Sequence, residues 1–531
     1  MLETTLGFGG MVVAPHHLAA QAGADVLDDG GNAIEAMVAA AATIAVVYPH
    51  MNGLGGDNFW LIQLPGHEPL GIDACGAAAG LAHPSLFKEQ GLDAIPARGP
   101  LAAITVAGAV SGWQRALEIS ASRCRGGIPL ARLLEPAIHH ARTGFPMTST
   151  LVGNIAAKHS ELQSVPGFED TYHTNNKPRI GERLRQPTLA LTLDRLSQKG
   201  FDDFYRGEIA KSLVDDLAEV GSPLRRSDFE DHKALEVIPL RLEISGNAVF
   251  NMPPPTQGLA SLILLGVFDR LGVERADSFE FVHGIVEATK CAFRIRDNHI
   301  ADPSFMSVDP TSLLDPGHLD SLAAGIDRRR ASPWPAPSTG GDTVWLGAID
   351  AEGRCVSFIQ SLYWEFGSGI VLPGTGVTWQ NRGTSFSLDE NHHNCIQPLK
   401  RPFHTIQPAL AKLNDGRVMV FGTMGGDGQP QTQATIFSRH AIFGQPLQQS
   451  ITAPRWLLGR TWGQSATSLR IEGRFGPEIC KRLSDAGHPI DVVSDFDEIM
   501  GHAGALVLHP NSLMEGAADP RSDGRVVPSR Q

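Results

Sequence analysis

The length, composition and charge of the chain are typical of a globular protein. Its 531 residues are 42% hydrophobic and 19% charged, with a formal net charge of -13. This balance excludes a largely disordered chain and argues against nucleic acid or an anionic membrane as a partner.

The cysteines and the N-terminus predict a cytoplasmic protein. The six cysteines lie far apart without a Cys-x-x-Cys pair, so we expect reduced thiols and neither a structural zinc site nor a disulfide framework. The first ten residues have no basic region and no long apolar run, which disfavours a signal peptide. The most apolar stretch, 36–47, is too short to span a bilayer and predicts a buried helix.

The first predicted elements are two helices and a hairpin. Helical spacing over 17–29 ends at Gly30-Gly31, and Asn32 is placed to cap a buried helix over Ala33–Val47. The runs 59–63 and 69–73 are joined across a Pro-Gly turn. Their composition and spacing predict a β-hairpin.

The region from about 100 to 330 is predicted to be mainly helical. Helical periodicity covers 130–143, 188–199, 207–220 and 279–294. A loop over 251–258, with three consecutive prolines, interrupts these patterns.

A change of composition at 328–341 separates this helical region from the rest. The segment is basic and proline-rich, which predicts a non-helical connector. The runs 343–349 and 354–362 then predict a second hairpin. A strand over 417–421, a glycine loop and a helix over 431–443 follow. Strands clustered in two places with helices between them predict layered sheets covered by helices.

Thr343 opens the first of these later strands, directly after Asp342. A threonine hydroxyl is a poor nucleophile unless a base stands beside it. If the bond between Asp342 and Thr343 were cut, the new α-amino group, with a reference pKa of about 7.7–8.0, could accept the hydroxyl proton. A threonine at the start of a strand is ordinarily explained by the good fit of its β-branched side chain to a sheet. The motifs downstream of Thr343 therefore decide whether it is a nucleophile or only a strand residue.

The glycine loop at 422–428 stands between a predicted strand and a predicted helix. This arrangement can present backbone N–H groups to a developing negative charge. Gly425 and Gly426 would be the donors, because without a Cβ they allow close approach of a substrate. A tight strand-to-helix turn is the ordinary alternative. A phosphate loop is disfavoured because the Gly-Lys-Ser/Thr ending is missing.

Eight motifs in order resemble the γ-glutamyltransferase family of N-terminal-nucleophile hydrolases, from about residue 7 to residue 523. In chain order they are Gly30-Gly-Asn-Ala-Ile-Glu-Ala36, Gly53-Leu-Gly-Gly56, Met252-Pro-Pro-Pro255, Asp342-Thr343, Phe366-Gly-Ser-Gly369, Lys400-Arg-Pro402, Gly425-Gly426 and Ala518-Asp-Pro-Arg-Ser522.

The resemblance implies an α+β fold, a four-layer αββα sandwich, made as one precursor. Self-cleavage between Asp342 and Thr343 would give a large chain, 1–342, and a small chain, 343–531, that form one folded unit. Gly425 and Gly426 would form the oxyanion hole, and Ser361 would support the nucleophile. No cofactor and no metal are expected. The resemblance does not determine whether two such heterodimers form a dimer.

The chain departs from the family at the positions that bind the carboxylate and the amino group of the substrate. The first hairpin carries Ala74-Cys75-Gly76 in place of an Arg-Glu pair that holds the substrate carboxylate. Tyr363 replaces an asparagine, and Ser385 replaces the aspartate that would hold the substrate amino group. These losses predict poor binding of γ-glutamyl groups.

New polar groups stand at the same positions. Asn381 is kept and is followed by Arg382, and His404-Thr405 replaces a Ser-Ser pair. Together with Tyr363 we expect these residues to bind substrate, with Arg382 taking the carboxylate of a small anionic acyl group. The ordinary alternatives are an ion pair for Arg382 and a packing role for His404. The run 422–431 resembles the oxamate amidohydrolase-like subgroup.

The main hypothesis is a self-cleaving N-terminal-threonine amidohydrolase that hydrolyses a small anionic amide such as oxamate through an acyl-enzyme. A γ-glutamyltransferase or glutathione hydrolase is the alternative enzyme, and an uncleaved, inactive binding or scaffold relative is the alternative of another class. The adjacent histidine pairs do not indicate a metal site, since neighbours in sequence usually point to different faces. They are His16-His17, His139-His140 and His392-His393.

Overall fold

The computed structural model describes residues 2–173, 177–334, 341–459 and 467–530. The helices in these residues are α1 (His17–Asp28), α2 (Ala33–Val47), α3 (Pro84–Lys88), α4 (Ala109–Arg123), α5 (Leu130–Thr143), α6 (Ser149–Leu162), α7 (Phe168–Tyr172), α8 (Pro187–Lys199), α9 (Asp203–Arg206), α10 (Glu208–Glu219), α11 (Arg226–Glu230), α12 (Gly258–Arg270), α13 (Phe279–His299), α14 (Pro316–Ala324), α15 (Gly428–Phe437), α16 (Leu447–Thr452) and α17 (Pro477–Asp485).

The strands in the same residues are β1 (Thr5–Gly7), β2 (Gly10–Ala14), β3 (Asp57–Gln63), β4 (Leu70–Ala74), β5 (Phe145–Pro146), β6 (Arg183–Leu184), β7 (Leu235–Val237), β8 (Leu240–Ile244), β9 (Asn247–Asn251), β10 (Asp342–Asp350), β11 (Cys355–Tyr363), β12 (Ala409–Lys412), β13 (Val418–Thr423), β14 (Trp456–Leu458), β15 (Leu469–Glu472), β16 (Ile490–Val493), β17 (Ala503–Leu508), β18 (Met514–Ala518) and β19 (Arg525–Pro528).

Two antiparallel sheets of seven strands each dominate the described part of the chain. The strand order is β1-β18-β17-β13-β12-β9-β8 in the first sheet and β19-β2-β10-β11-β3-β4-β7 in the second. The β10–β11 hairpin lies inside the second sheet, where β10 pairs with β2 and β11 pairs with β3.

Alternation along β10 shows how the layers pack. Trp345 and Ile349 belong to the core between the two sheets, together with Leu410 of the first sheet. Val344 and Leu346 face the other way, into the core that the second sheet forms with α1, α2 and α5. A third core lies between the first sheet and α12, α13 and α15. The order helices, sheet, sheet, helices confirms the predicted four-layer αββα sandwich of α+β class.

Local sequence explains several element boundaries. Asn32 caps α2 by accepting from the backbone of Ile34 and Glu35, and the Glu35 side chain accepts from the backbone N–H of Asn32. The predicted helix over 431–443 was misplaced: α15 begins at Gly428, and a π turn follows it at 438–442. Pro430 falls in the first turn of α15, where its missing N–H breaks no helical bond.

The remaining predictions agree in type, with shifts at the ends. Helix α13 extends to His299, five residues beyond the predicted end. Residues 328–334 of the connector are non-helical, as predicted, and 335–340 lie outside the described residues. None of the helices described here is both long enough and apolar enough to cross a membrane.

Candidate active site

Thr343 lies at an irregular point near the start of β10. Asp342 pairs with Tyr363 and Val344 pairs with Gln360, so β11 carries one extra residue opposite Thr343. Such bulges redirect side chains and are common beside active sites. Thr343 is 1% exposed. Because it follows Asp342 in a continuous strand, its α-nitrogen is a peptide amide and cannot act as a base until that bond breaks.

The glycine loop reaches Thr343 from the other sheet. Gly425 and Gly426 have φ values of 115° and 49°, in the left-handed region that favours glycine. Their carbonyl oxygens accept hydrogen bonds from Gly428 and Gln429 as α15 begins. The Gln429 side chain extends from this first turn and donates through Nε2 to Thr343 Oγ1 at 3.4 Å. The predicted nucleophile therefore contacts the helical turn that directly follows the predicted oxyanion loop.

Trp345 fixes the distance between the two sheets at this point. Its indole N–H donates to Ser357 Oγ at 2.9 Å, and its ring lies against Gly422 of β13 and Gly504 of β17. A Cβ on Gly422 would stand 2.2 Å from Trp345 Cδ1. Since Gly422 has no side chain, the strand carrying Thr343 can approach the strand that leads into the glycine loop.

Arg382 is fully buried beside the start of the same hairpin. Its Nη1 donates to Thr405 Oγ1 at 3.4 Å, and its Cζ lies 3.8 Å from the centre of the Tyr363 ring. Nε and Nη2 have no hydrogen-bond partner among the described residues. Burial lowers the pKa of Arg382 to about 10, with opposing effects from Tyr363, Asp57 and Cys75. The guanidinium is therefore charged at neutral pH and has one side free.

Asp57 and His404 are fully buried and lie close enough to Arg382 for its charge to shift their pKa values. We call these three residues, with Tyr363 and Thr405, the candidate acyl pocket. Asp57 Oδ1 accepts from the backbone N–H of Gly76 at 3.0 Å and of Gly108 at 2.9 Å. Asp57 Oδ2 stands 3.5 Å from His404 Nε2. Burial raises the pKa of Asp57 to about 7. Burial, and then the charge of Arg382, lower the pKa of His404 well below its usual range, so this imidazole is neutral.

Gln257 joins this pocket to the glycine loop. Its Nε2 donates to the carbonyl oxygens of Thr405 and Gly426. Arg296 holds Gln257 in place by donating to its Oε1 at 2.9 Å and to Asp427 Oδ1 at 2.7 Å. A continuous set of contacts thus runs from Thr343 through Gln429, the glycine loop, Gln257, Thr405, Arg382 and Tyr363 back to the backbone of Asp342.

Comparison with known proteins identifies the family of this chain. The gamma-glutamyltranspeptidase family model matches residues 19–529. The chain belongs to this family. It is 55% identical to an oxamate amidohydrolase proenzyme of Klebsiella pneumoniae over 99% of both chains. It is 40% identical to the glutathione hydrolase-like YwrD proenzyme of Bacillus subtilis, over 99% of this chain and 100% of that one.

A solved structure agrees with this assignment. The crystal structure of cephalosporin acylase from Bacillus halodurans superposes with a TM-score of 0.91 at 33% identity, covering 100% of this chain and 98% of that one. The predicted family, its resemblance to the oxamate amidohydrolase subgroup, the sandwich fold and the hydrolase class are confirmed.

Two other predicted site residues of this γ-glutamyltranspeptidase-family chain lie close by. Ser361 stands opposite Asp57 in the sheet, and its Oγ accepts from the backbone N–H of Tyr363 at 2.7 Å. The Asn381 side chain is used at both ends, since Oδ1 accepts from Trp364 N–H and Nδ2 donates to the carbonyl oxygen of Ala97. Asn381 therefore positions the backbone next to Arg382, and both ends of its side chain are engaged by described residues.

Sequence reasoning missed Asp57, Gln257 and Gln429. Asp57 directly follows the Gly-Leu-Gly-Gly motif and Gln429 lies within the subgroup-like run 422–431, so proximity to motifs was the one signal available. The structure also explains one departure from the family. A Cβ on Gly76 would stand 1.7 Å from the carbonyl oxygen of Val106, so no side chain fits there.

Proposed function

We propose that this protein is a self-cleaving amidohydrolase that acts on small anionic amides of the oxamate type. The observation that carries the proposal is the free side of Arg382. Nε and Nη2 of a guanidinium form the parallel pair of donors that matches a carboxylate. In Arg382 this pair is buried and has no partner among the described side chains. The name of the Klebsiella relative supports this substrate class.

Self-cleavage would create the nucleophile. Thr343 Oγ would attack the carbonyl carbon of Asp342, and the peptide would become an ester as the nitrogen of Thr343 takes up a proton. Water would then hydrolyse the ester, leaving a large chain, 1–342, and a small chain, 343–531. The free α-amine of Thr343 would stand next to its own hydroxyl and could accept its proton.

Turnover would use the same groups. The amine would take the proton from Thr343 Oγ as this oxygen attacks the substrate amide carbon. The N–H groups of Gly425 and Gly426 would stabilise the oxyanion, and the amine would return the proton to the leaving ammonia. Water would then hydrolyse the acyl ester. Gln429 Nε2, which already donates to Thr343 Oγ1, would orient this oxygen, and Ser361 would support it from β11.

The residues around Arg382 would bind the acyl part of the substrate. Arg382 would bind the substrate carboxylate through Nε and Nη2, while Thr405 and the Tyr363 ring hold the guanidinium in orientation. His404 would contact the acyl group as a neutral imidazole. Asn381 would act only through the backbone that it positions. We also propose a cytoplasmic location, on the strength of the dispersed cysteines.

A γ-glutamyl hydrolase is the second candidate, and one observation favours it. Asp57 is a buried carboxyl group beside Arg382 and His404, and an ionised carboxylate there would suit a substrate ammonium group. Ala74-Cys75-Gly76 stands where the family has its Arg-Glu pair, however, so the usual carboxylate clamp is missing.

A substrate panel separates the two candidates. Release of the leaving amine should be fastest from oxamate, where it is ammonia, and slower from glutathione, where it is cysteinylglycine, and from other γ-glutamyl amides. Loss of a charged two-point contact costs about 2–5 kcal/mol, which predicts a difference of roughly thirtyfold or more. Thr343→Ala is the inactive control. Efficient turnover of glutathione without turnover of oxamate would overturn the proposal in favour of the second candidate.

A further inference from the structure

We propose that Asp57 is a specificity-determining residue of this pocket, which must carry a proton when an anionic acyl group binds to Arg382. This inference rests on the proposed function. It adds a residue that the sequence did not indicate, and it restricts the preferred substrates to small amides that carry one negative charge and no ammonium group.

The two oxygens of Asp57 have different surroundings. Oδ1 is fixed by the N–H groups of Gly76 and Gly108, which anchor the side chain in the fold. Oδ2 faces His404 Nε2 at 3.5 Å, and the Gln380 side chain also lies within hydrogen-bonding reach of the carboxyl group. The carboxyl group is therefore anchored by one oxygen, while the other lies next to His404.

The net charge of Arg382, His404 and Asp57 explains why Asp57 must be protonated when an anion binds. Arg382 is positive and His404 is neutral, so with ionised Asp57 the empty pocket carries no net charge. A substrate carboxylate would then add an uncompensated negative charge in a buried site, which is unfavourable at low effective dielectric. With protonated Asp57, the pair of Arg382 and substrate is neutral. Protonated Oδ2 can also donate to His404 Nε2 or to the substrate.

The pKa of Asp57 supports this role. Burial raises it to about 7, against the opposing effects of Arg382, the two backbone N–H groups and Gln380. A bound carboxylate raises it further, because a like charge disfavours ionisation. The other ionisable groups whose charges couple with Asp57 or with its partner His404 are Arg382, Cys75, Tyr205 and Arg401.

The sign of the pH dependence follows directly. Below about pH 7 Asp57 in the free protein is protonated and an anion binds well. Above that pH a proton must be taken up on binding, so the apparent affinity falls by up to about tenfold per pH unit. The Thr343 amine must be neutral to accept a proton, so its ionisation makes kcat rise with pH. The effect of Asp57 should therefore be seen in KM.

Asp57→Asn is the informative variant. The amide oxygen can accept the same two backbone N–H groups, and the NH₂ group takes the place of the protonated oxygen but cannot ionise. Self-cleavage and the thermal unfolding temperature of the variant show whether it folds. Should it fail to fold, Asp57→Ser gives a second non-ionising side chain.

The experiment measures KM and kcat for oxamate, and the inhibition constant of isobutyrate, against pH in wild type and Asp57→Asn. Isobutyrate is similar to oxamate in size and carries the same charge, but it has a tetrahedral CH(CH3)2 group in place of the planar amide and so no amide carbonyl to attack. We expect both KM and the inhibition constant to rise above about pH 7 in the wild type, and the variant to lose that part of the rise. Any contribution of the Thr343 amine to the pH dependence of KM is the same in the wild type and in Asp57→Asn.

Equal pH profiles in the two proteins would overturn the inference about Asp57 and leave the proposed function standing. Strong acceleration of an ammonium-bearing substrate by the wild type, lost in Asp57→Asn, would also overturn it, since Asp57 would then act ionised. A wild type that is cleaved at Thr343 but does not hydrolyse oxamate would instead overturn the proposed function.

Discussion

Arg382 is costly to bury, because a guanidinium loses its hydration and, among the described residues, keeps one weak hydrogen bond, to Thr405. A buried charge with two free donors is hard to explain as a stabilising feature. It is readily explained as half of an ion pair whose other half is the substrate.

Substitution of Arg382 tests this interpretation. Arg382→Lys keeps the charge but not the parallel pair of donors, so kcat/KM for oxamate should fall. Arg382→Gln should reduce it further, by about 2–5 kcal/mol of transition-state stabilisation. Both variants should still self-cleave, because the scissile bond needs no bound carboxylate. Arg142→Gln, at an exposed position of α5, is the control, and wild-type activity in Arg382→Gln would contradict the account.

Gln429 gives a second prediction at this scale. Gln429→Leu removes the donor to Thr343 Oγ1, and one neutral hydrogen bond is worth about 1 kcal/mol. We expect kcat to fall about fivefold and self-cleavage to slow, measured by ammonia release and by denaturing gels over time. Gln198→Leu, at an exposed position of α8, should change neither. Unchanged kcat in Gln429→Leu would show that this contact has no part in turnover.

The residues predicted from sequence share one property: each lies in a motif that can be read locally. Thr343, the Gly425-Gly426 pair and Arg382 stand in such motifs. Asp57 directly follows such a motif and Gln429 lies within the run 422–431, but both enter the site because the fold brings β3 and the first turn of α15 next to the β10–β11 hairpin. Their pairing depends on tertiary structure, and nothing in the spacing of the sequence specifies it.

At the scale of elements, the contact between β10 and β13 sets the position of Thr343 relative to the glycine loop. Gly422→Ala would place a Cβ 2.2 Å from Trp345 Cδ1, and overpacking of this kind typically costs about 1–3 kcal/mol of stability. Gly127→Ala meets open space at a position without a positive φ. We expect the unfolding free energy and kcat to fall in Gly422→Ala and to stay near wild type in Gly127→Ala. A fully stable and active Gly422→Ala would show that the close contact is dispensable.

Element types were predictable where the signals are local. Asn32 and the apolar run after it set the start of α2, and the alternation of 343–349 indicates a strand. The start of α15 was not predictable, because the polar run 428–430 has no helical periodicity and joins the helix through its burial against the glycine loop. Tertiary burial decided that boundary.

At the scale of the molecule, cleavage at Thr343 would divide both sheets between two chains. In the second sheet β2 of the large chain lies between β19 and β10 of the small chain, and β3 of the large chain pairs with β11 of the small chain. In the first sheet β18 and β12 of the small chain pair with β1 and β9 of the large chain. Separation of the chains would break both sheets. We therefore expect the two chains to co-elute in size-exclusion chromatography and to separate only in denaturant. Separation in native buffer would contradict this arrangement.

The most direct test of the account is the mass of the denatured wild-type polypeptides, compared with those of Thr343→Ala. The wild type should give two chains, the smaller one beginning Thr-Val-Trp-Leu at residue 343, and a quenched reaction with oxamate should add the acyl group to this smaller chain. Thr343→Ala should remain one inactive chain. A wild type that hydrolyses oxamate as a single uncleaved chain, or that is cleaved at another bond, would contradict the central claim that Thr343 becomes the N-terminal nucleophile.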